Sequence, residues 1–452
     1  MTESNNRHSV HGCNNPMFWV PTLYFAEGIP YFMVNNISVL MFAKMGVPND
    51  QLAFFTTLLY FPWFLKGLWS PLVDVFKTKR WWIVTMQIVL TILCAMLALT
   101  LPHPDAAMIA TKETPVSIFY LTLLLFILSA FASATHDIAA DGFYMLAHDE
   151  QSQARYVGIR STFYRIAMVF GQGVLVYIAG LIEKTTDNIP LSWQVTLGVL
   201  AVVLFLITLY HLFMLPRPSS DQPRTQANGI GIAEAFRTFF TKKGVWLGVI
   251  FMLLYRLPEG LLVKLSLPFL VDSREITERG GQIFGGGLAL STEMVGLLYG
   301  TIGVLCLLAG GILGGLYIAR KGLKRSLWPM ALALTVPNLA YVYLSAAQPQ
   351  DLWLIGSAIS VEQFGYGFGF TAYMLYMMYV SQGEYKTSHY AICTAFMALS
   401  MILPGLVAGS IELQVGYELF FWIAIICSVT TVGVTLAVYR TIDPNYGNKG
   451  EK

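Results

Sequence analysis

Ten ionisable side chains stand within or at the edge of long apolar runs: the acids Glu27, Asp137, Asp141, Glu259 and Glu362 and the cations Lys66, Arg160, Arg165, Arg256 and Lys264. A charge at the bilayer centre costs roughly 2.5 to 3.5 kcal/mol on insertion scales, so such residues face a cavity or a partner. Acids and cations buried together suit proton exchange, recognition of a charged solute, or ion pairs that break and re-form between two conformations. On the first run Tyr24, Glu27, Tyr31 and Asn35 recur every three or four positions and share one helical face. Glu27 is there either a proton carrier or solute acceptor, or the permanent partner of an arginine. Asp137 and Asp141, four apart on the fourth run, make a place for a shared proton, or else anchor Lys66, Arg160 or Arg165. In the seventh run Tyr255-Arg256-Leu257-Pro258-Glu259-Gly260 breaks a helix in mid-course. Arg256 is placed to grip a solute carboxylate with two N–H groups, or to pair with Glu259 or Glu362. In the tenth run, Glu362-Gln363-Phe364-Gly365-Tyr366-Gly367-Phe368-Gly369 has no strand before it and no Lys-Ser/Thr after it, so it is not a phosphate loop. Its glycines read as helix packing, and Tyr366 and Tyr373 either stack on sugar rings or fill a bundle.

The expected roles are therefore proton coupling at Glu27, Asp137 and Asp141, substrate contact at Arg256, Arg165, Tyr31, Asn35, Tyr366 and Tyr373, and conformational coupling at Lys66, Asp74, Glu259 and Glu362. His136 reads as a packing histidine. The five cysteines lie far apart with no ligand spacing, so neither a metal nor a cofactor is expected. No GxSxG, HExxH or Walker sequence occurs, which argues against an enzyme.

The elements that must position these groups are membrane helices. Of 452 residues 56% are hydrophobic and 12% charged, against roughly a quarter charged in ordinary soluble domains. With about 20 apolar residues per crossing, the chain holds twelve spans and no large soluble domain. Six lie within residues 17–215 and six within 245–440; residues 216–244 form a polar linker with one short amphipathic helix, 232–240. Residues 1–16 and 441–452 are tails, and no cleaved signal peptide precedes the first span. Placing both tails and the linker in the cytoplasm leaves 18 loop Lys and Arg on that side and 5 on the other, as basic retention requires. A formal charge of +2 without a basic stripe excludes a nucleic-acid partner.

The halves echo each other. Span 2 ends in Lys66-Gly67-Leu68-Trp69-Ser70-Pro71-Leu72-Val73-Asp74 and span 8 in Gly310-Gly311-Ile312-Leu313-Gly314-Gly315, each followed by basic residues. Small residues there are expected to let helices approach closely and to lock each half to its neighbour. Six and six in register imply an all-α membrane protein of the major facilitator fold, two six-helix bundles about a midplane cavity.

At this point the chain resembles the AmpG-type muropeptide permeases, a branch of that superfamily shared with the acetyl-CoA transporters. The resemblance rests on Phe25-Ala26-Glu27-Gly28-Ile29-Pro30, on Lys66-Gly67-Leu68-Trp69-Ser70-Pro71 with Asp74, and on Ser133-Ala134-Thr135-His136-Asp137-Ile138 with Asp141. It continues through Tyr164-Arg165, Tyr255-Arg256-Leu257, Glu362-Gln363 and His389-Tyr390-Ala391. It implies a proton symporter in a bacterial inner membrane, importing N-acetylglucosaminyl-anhydro-N-acetylmuramic acid, with or without peptide, for cell-wall recycling. Protons, lipid and a small solute are its expected partners, and the chain is expected to be a monomer. Another solute in the same fold, such as plain N-acetylmuramic acid or acetyl-CoA, and a non-transporting membrane sensor are the rival readings. Glu27 departs from the family pattern, which often has a small residue there, and marks a difference in solute or coupling.

Overall fold

The computed structural model describes residues 15–147, 150–223, 232–383, 386–444 and 446; within these, the side chains of 71, 74, 150–155, 157–158, 232–233, 235 and 386–388 are outside the description. Twelve helical rods are present among the described residues. Spans 1 to 6 are residues 16–44, 49–75, Lys79–Thr100, 116–147, 150–186 and Ile189–Met214; spans 7 to 12 are 245–271, 292–321, 323–347, Leu352–Val380, 386–415 and 417–439. Spans 8 and 9, and spans 11 and 12, are separated only by Gly322 (φ 76°) and Gly416 (φ 74°), whose left-handed backbone turns the chain where a side chain would be strained. The linker helix Ile232–Phe240 lies at one end of the molecule. A hairpin of β1 (Thr277–Arg279) and β2 (Gln282–Phe284) lies at the other. These ends are called the linker face and the hairpin face.

Several spans are interrupted near their middles. Spans 1, 5 and 8 contain π-helical turns at Met33–Ile37, Val169–Leu175 and Leu298–Gly303, a form common at functional sites. Span 2 breaks between Leu58 and Phe61, just ahead of Pro62. Span 7 breaks between Leu254 and Leu257 because Pro258 has no N–H to offer the Leu254 carbonyl. Inside a membrane such carbonyls need other donors. Thr430 Oγ1 donates to Leu254 O at 3.1 Å, Thr431 Oγ1 to Tyr255 O at 2.9 Å, and Tyr373 Oη to Met252 O at 2.7 Å. Spans 10 and 12 therefore hold the break open, and Arg256 sits at it.

The glycines of span 8 do not join the halves. Gly310 and Gly314 face the backbone of span 10 at Phe364 and Phe368, within the second half. The halves meet instead on the hairpin side, span 2 on span 11 and span 5 on span 8. There a Cβ on Gly300 would overlap the Gln172 carbonyl, and one on Gly409 the Asn49 carbonyl, so backbone lies directly on backbone. A buried polar cluster closes the same side. Lys112 Nζ donates to Asp272 at 2.5 Å and to Asn49 Oδ1 at 2.9 Å; Tyr417 Oη donates to Asp272 at 2.7 Å, and Asn49 Nδ2 to Glu412 at 2.8 Å. Thr292 adds a bond to Glu183 at 2.5 Å. Among the described residues, the linker-side parts of spans 4 and 5 are not packed on the second half, so the cavity between the halves widens toward the linker face.

This geometry predicts that Gly300→Ala cannot occupy the hairpin-closed state and shifts the protein to its opposite. Spin labels at the exposed positions Asp105 and Glu278 should then report a longer distance than in the wild type. An unchanged distance distribution in a folded variant would refute the seam as the closing contact.

Candidate functional site

The cavity has two connected parts. A chamber of about 470 Å³ is walled by spans 1, 2, 4, 5, 7 and 11. Beyond it, deeper toward the hairpin face, lies an inner pocket of about 150 Å³. Tyr31, Tyr60, Arg256 and Met401 border both.

The first half supplies a cluster of five charges. Lys66 Nζ bonds Asp137 Oδ2, and Arg160 Nη2 meets Asp141 Oδ1 at 2.5 Å. Tyr24 Oη donates to the same Asp141 oxygen at 3.2 Å, and the Arg160 guanidinium lies 4.4 Å from the centre of the Tyr24 ring. Glu27 is 6% exposed, within the electrostatic field of Asp137, Asp141 and Arg160. Its Oε2 has no hydrogen-bond partner. Three carboxylates thus face two cations, and a single proton balances the cluster. Span 4 supplies both paired acids and spans 2 and 5 one cation each, so the helical face predicted on span 1 is where spans 2, 4 and 5 deliver their charges.

The second half is arranged differently. Arg256 forms a two-pronged pair with Glu259, Nη2 to Oε1 at 2.8 Å and Nε to Oε2 at 3.3 Å. Tyr366 Oη accepts from Arg256 Nη2 at 2.9 Å, and Phe370 lies under the guanidinium with its ring centre 4.6 Å away. Only 5% and 4% of the two charged side chains is exposed, so Arg256 is neutralised within its own span. Glu362 is buried beside Gln363, which donates to it at 2.9 Å. Lys264 is 7% exposed and borders the inner pocket.

Most of the residues expected to contact solute line the cavity: Tyr31, Asn35, Arg165, Arg256 and Tyr366. Tyr31 and Tyr60 share a short hydroxyl–hydroxyl bond, and Asn35 donates to Tyr31 O at 3.0 Å, leaving its buried Oδ1 unpaired. Tyr373 lies behind Arg256 with its hydroxyl committed to the span 7 break. The side chain of Asp74 lies outside the described residues. His136 packs as expected, in a buried chain through Gln87 (3.0 Å) and His211 (2.9 Å). Sequence reasoning missed the amides Asn36, Gln172 and Gln363 and the phenol of Tyr60 in the wall. It also missed the closing cluster of Asn49, Lys112, Asp272, Glu412 and Tyr417. A signal for the latter was present: paired acids and bases at span ends in opposite halves.

A family model for the Major Facilitator Superfamily matches residues 22–403. Among relatives, the anhydromuropeptide permease of Escherichia coli K12 is 22% identical over 426 residues, covering 93% of this chain and 79% of that one. The putative transporter AmpG 4 of Rickettsia conorii is 24% identical over 437 residues, covering 93% and 95%. Among solved structures, the nucleoside transporter NupG superposes with a TM-score of 0.68 at 15% identity, over 93% of this chain and 97% of that one. A bacterial homologue of the human lysosomal transporter Spinster, inward-facing and unoccupied, gives 0.65 at 14% identity, over 95% and 97%.

Proposed function

Because the chain belongs to the major facilitator superfamily, and is thus a multi-pass membrane transporter, we propose that it imports anhydro-muropeptides by proton symport across a bacterial inner membrane. The observation that carries this reading is the five-charge cluster beside the chamber: Lys66 and Arg160 are taken by Asp137 and Asp141, which leaves Glu27, on the chamber wall, as the carboxylate without a cation of its own. A proton taken there balances the cluster, and the helices holding it are the ones that must move when the cavity changes sides. The chamber and pocket together fall in the size range of small-solute sites, about 300 to 1,000 Å³, and suit two sugar rings. The amides and phenols of the wall match hydroxyl and acetamido groups, and the tyrosines offer flat faces to pyranose rings. The naming of the E. coli relative as an anhydromuropeptide permease supports the same solute class. The basic loops of the linker face favour the cytoplasm for that side, which makes this the inward-open form with both termini inside. Residues 17–215 and 245–440 then act as the two moving halves.

Vesicles carrying the protein, with an inward proton gradient imposed, should accumulate labelled N-acetylglucosaminyl-anhydro-N-acetylmuramic acid. Collapse of the gradient with an ionophore should stop accumulation. Uptake that ignores the gradient would refute symport, and no uptake by folded protein would refute the solute.

A further inference from the structure

Lys264 is a buried charge that the reading above leaves unused. It lies in span 7, two turns beyond Arg256, and its side chain enters the inner pocket rather than the open chamber. Among the described residues it has no hydrogen bond or ion pair, and no carboxylate is among the groups whose field reaches it. The other cations of the cavity are either matched, Lys66 by Asp137, Arg160 by Asp141 and Arg256 by Glu259, or, like Arg165, stand partly exposed in the open chamber, where water reaches them. A desolvated ammonium without an anion is costly at membrane depth, and the cost is relieved either by release of its proton or by a partner that brings negative charge and keeps it protonated. Around it stand the neutral groups Asn35, Gln172, Gln363 and Tyr299, and the other charged residue on the pocket wall, Arg256, is already paired with Glu259. Asn35 gives its N–H to Tyr31 O and so offers a hydroxyl of the sugar an acceptor rather than the acid a donor. The pocket is too small for a sugar ring with its substituents but holds a carboxylate and its short stem. The adjoining chamber holds the rings.

We infer that Lys264 is the anion subsite of the carrier, receiving the carboxylate of an amino-sugar acid whose rings occupy the chamber. This rests on the proposed solute class and deepens it. It moves charge recognition from Arg256, whose two prongs are already taken by Glu259, to a side chain with nothing else to bind. The acid group would point toward the hairpin face and the sugar toward the linker face. A carboxylate bound there meets the Lys264 ammonium and the N–H and O–H groups of Gln172, Gln363 and Tyr299, so an ester of the same acid should bind less well.

The test is binding of N-acetylmuramic acid and of its methyl ester to purified full-length protein. The wild type should prefer the acid, on the order of 10- to 100-fold, the range expected for one charged hydrogen bond. Lys264→Gln should bring the ratio near one, Lys264→Arg should retain most of it, and Lys184→Gln, at the exposed end of span 5, should leave it alone. Because the readout is a ratio within one protein, partial loss of folded material does not imitate the effect. A wild type that does not distinguish acid from ester, or binds neither, overturns the subsite, as does a Lys264→Gln variant that keeps the preference. The two readings fail separately. Gradient-driven disaccharide uptake with an unchanged ratio in Lys264→Gln removes the subsite alone. A Lys264-dependent preference without disaccharide uptake removes the muropeptide reading alone.

Discussion

Glu27→Gln is expected to abolish uphill transport while leaving exchange of solute intact. On the proposed symport, the wild-type cluster of Glu27, Asp137, Asp141, Lys66 and Arg160 changes its balance with each proton bound and released. The variant has two carboxylates against two cations and stays balanced whether or not a proton is offered. It therefore resembles the proton-loaded carrier permanently, able to reorient with solute but blind to the gradient. With one proton per solute, each pH unit drives up to about tenfold accumulation, since one unit corresponds to about 1.4 kcal/mol. The variant should equilibrate to a ratio near one at every imposed gradient. Its counterflow, labelled solute entering against unlabelled solute inside, should continue. Accumulation that persists in Glu27→Gln would take proton coupling away from this residue, and loss of counterflow as well would assign Glu27 to solute binding.

The second large effect concerns stability. Arg256 and Glu259 are buried together, and removing either leaves a charge in a place that cannot hydrate it. Breaking a buried pair on one side typically costs about 3 to 5 kcal/mol. Glu259→Gln is the more severe case, because the guanidinium then has only the Tyr366 hydroxyl and the ring faces of Phe370, Tyr366 and Tyr373 for company. Both single variants should unfold well below the wild type in detergent. The double variant Arg256→Gln/Glu259→Gln, which removes charge as a pair, should recover most of the lost stability. If Arg256→Gln instead kept its thermal stability and lost only binding of carboxylate solutes, Arg256 would be a solute group and the Lys264 subsite would be in competition with it.

How much of this was legible in the sequence depends on the range of the interaction. A break in span 7 could be read directly, since Pro258 and Gly260 act on their own backbone. The face of span 1 was equally readable, because helical spacing alone brings Glu27 to Tyr24 and Tyr31. Pairing across helices was only partly readable. Asp137 was offered Lys66, Arg160 or Arg165, and the choice of Lys66, 71 residues away, comes from the packing of span 2 on span 4. Arg256 left an even choice between solute and salt bridge, and the one-turn spacing to Glu259 takes the bridge. Tyr366 and Tyr373 are seven apart and share a face, yet only the first reaches the cavity, because the break they flank presents the guanidinium to one and an orphan carbonyl to the other. Spans 5 and 8 carry their π turns where no proline marks them, whereas that of span 1 begins three residues after Pro30. The closing cluster was hidden for a different reason: its members sit at span ends, where polar residues are ordinary, and 160 residues separate Lys112 from Asp272.

The seam at Gly300 and Gly409 has a further consequence, for leakage. A proton-driven carrier dissipates the gradient that powers it if a file of water ever links the two sides, because protons hop along hydrogen-bonded water without any solute. Side chains meeting at a closure leave crevices, and a polar crevice wide enough for one molecule fills with water. Peptide backbone lying flat on peptide backbone leaves no such crevice, and its N–H and C=O groups are already engaged within their helices. The two glycines thus act as electrical insulation, and a residue there that merely held the helices slightly apart would turn a tight carrier into a slow proton leak.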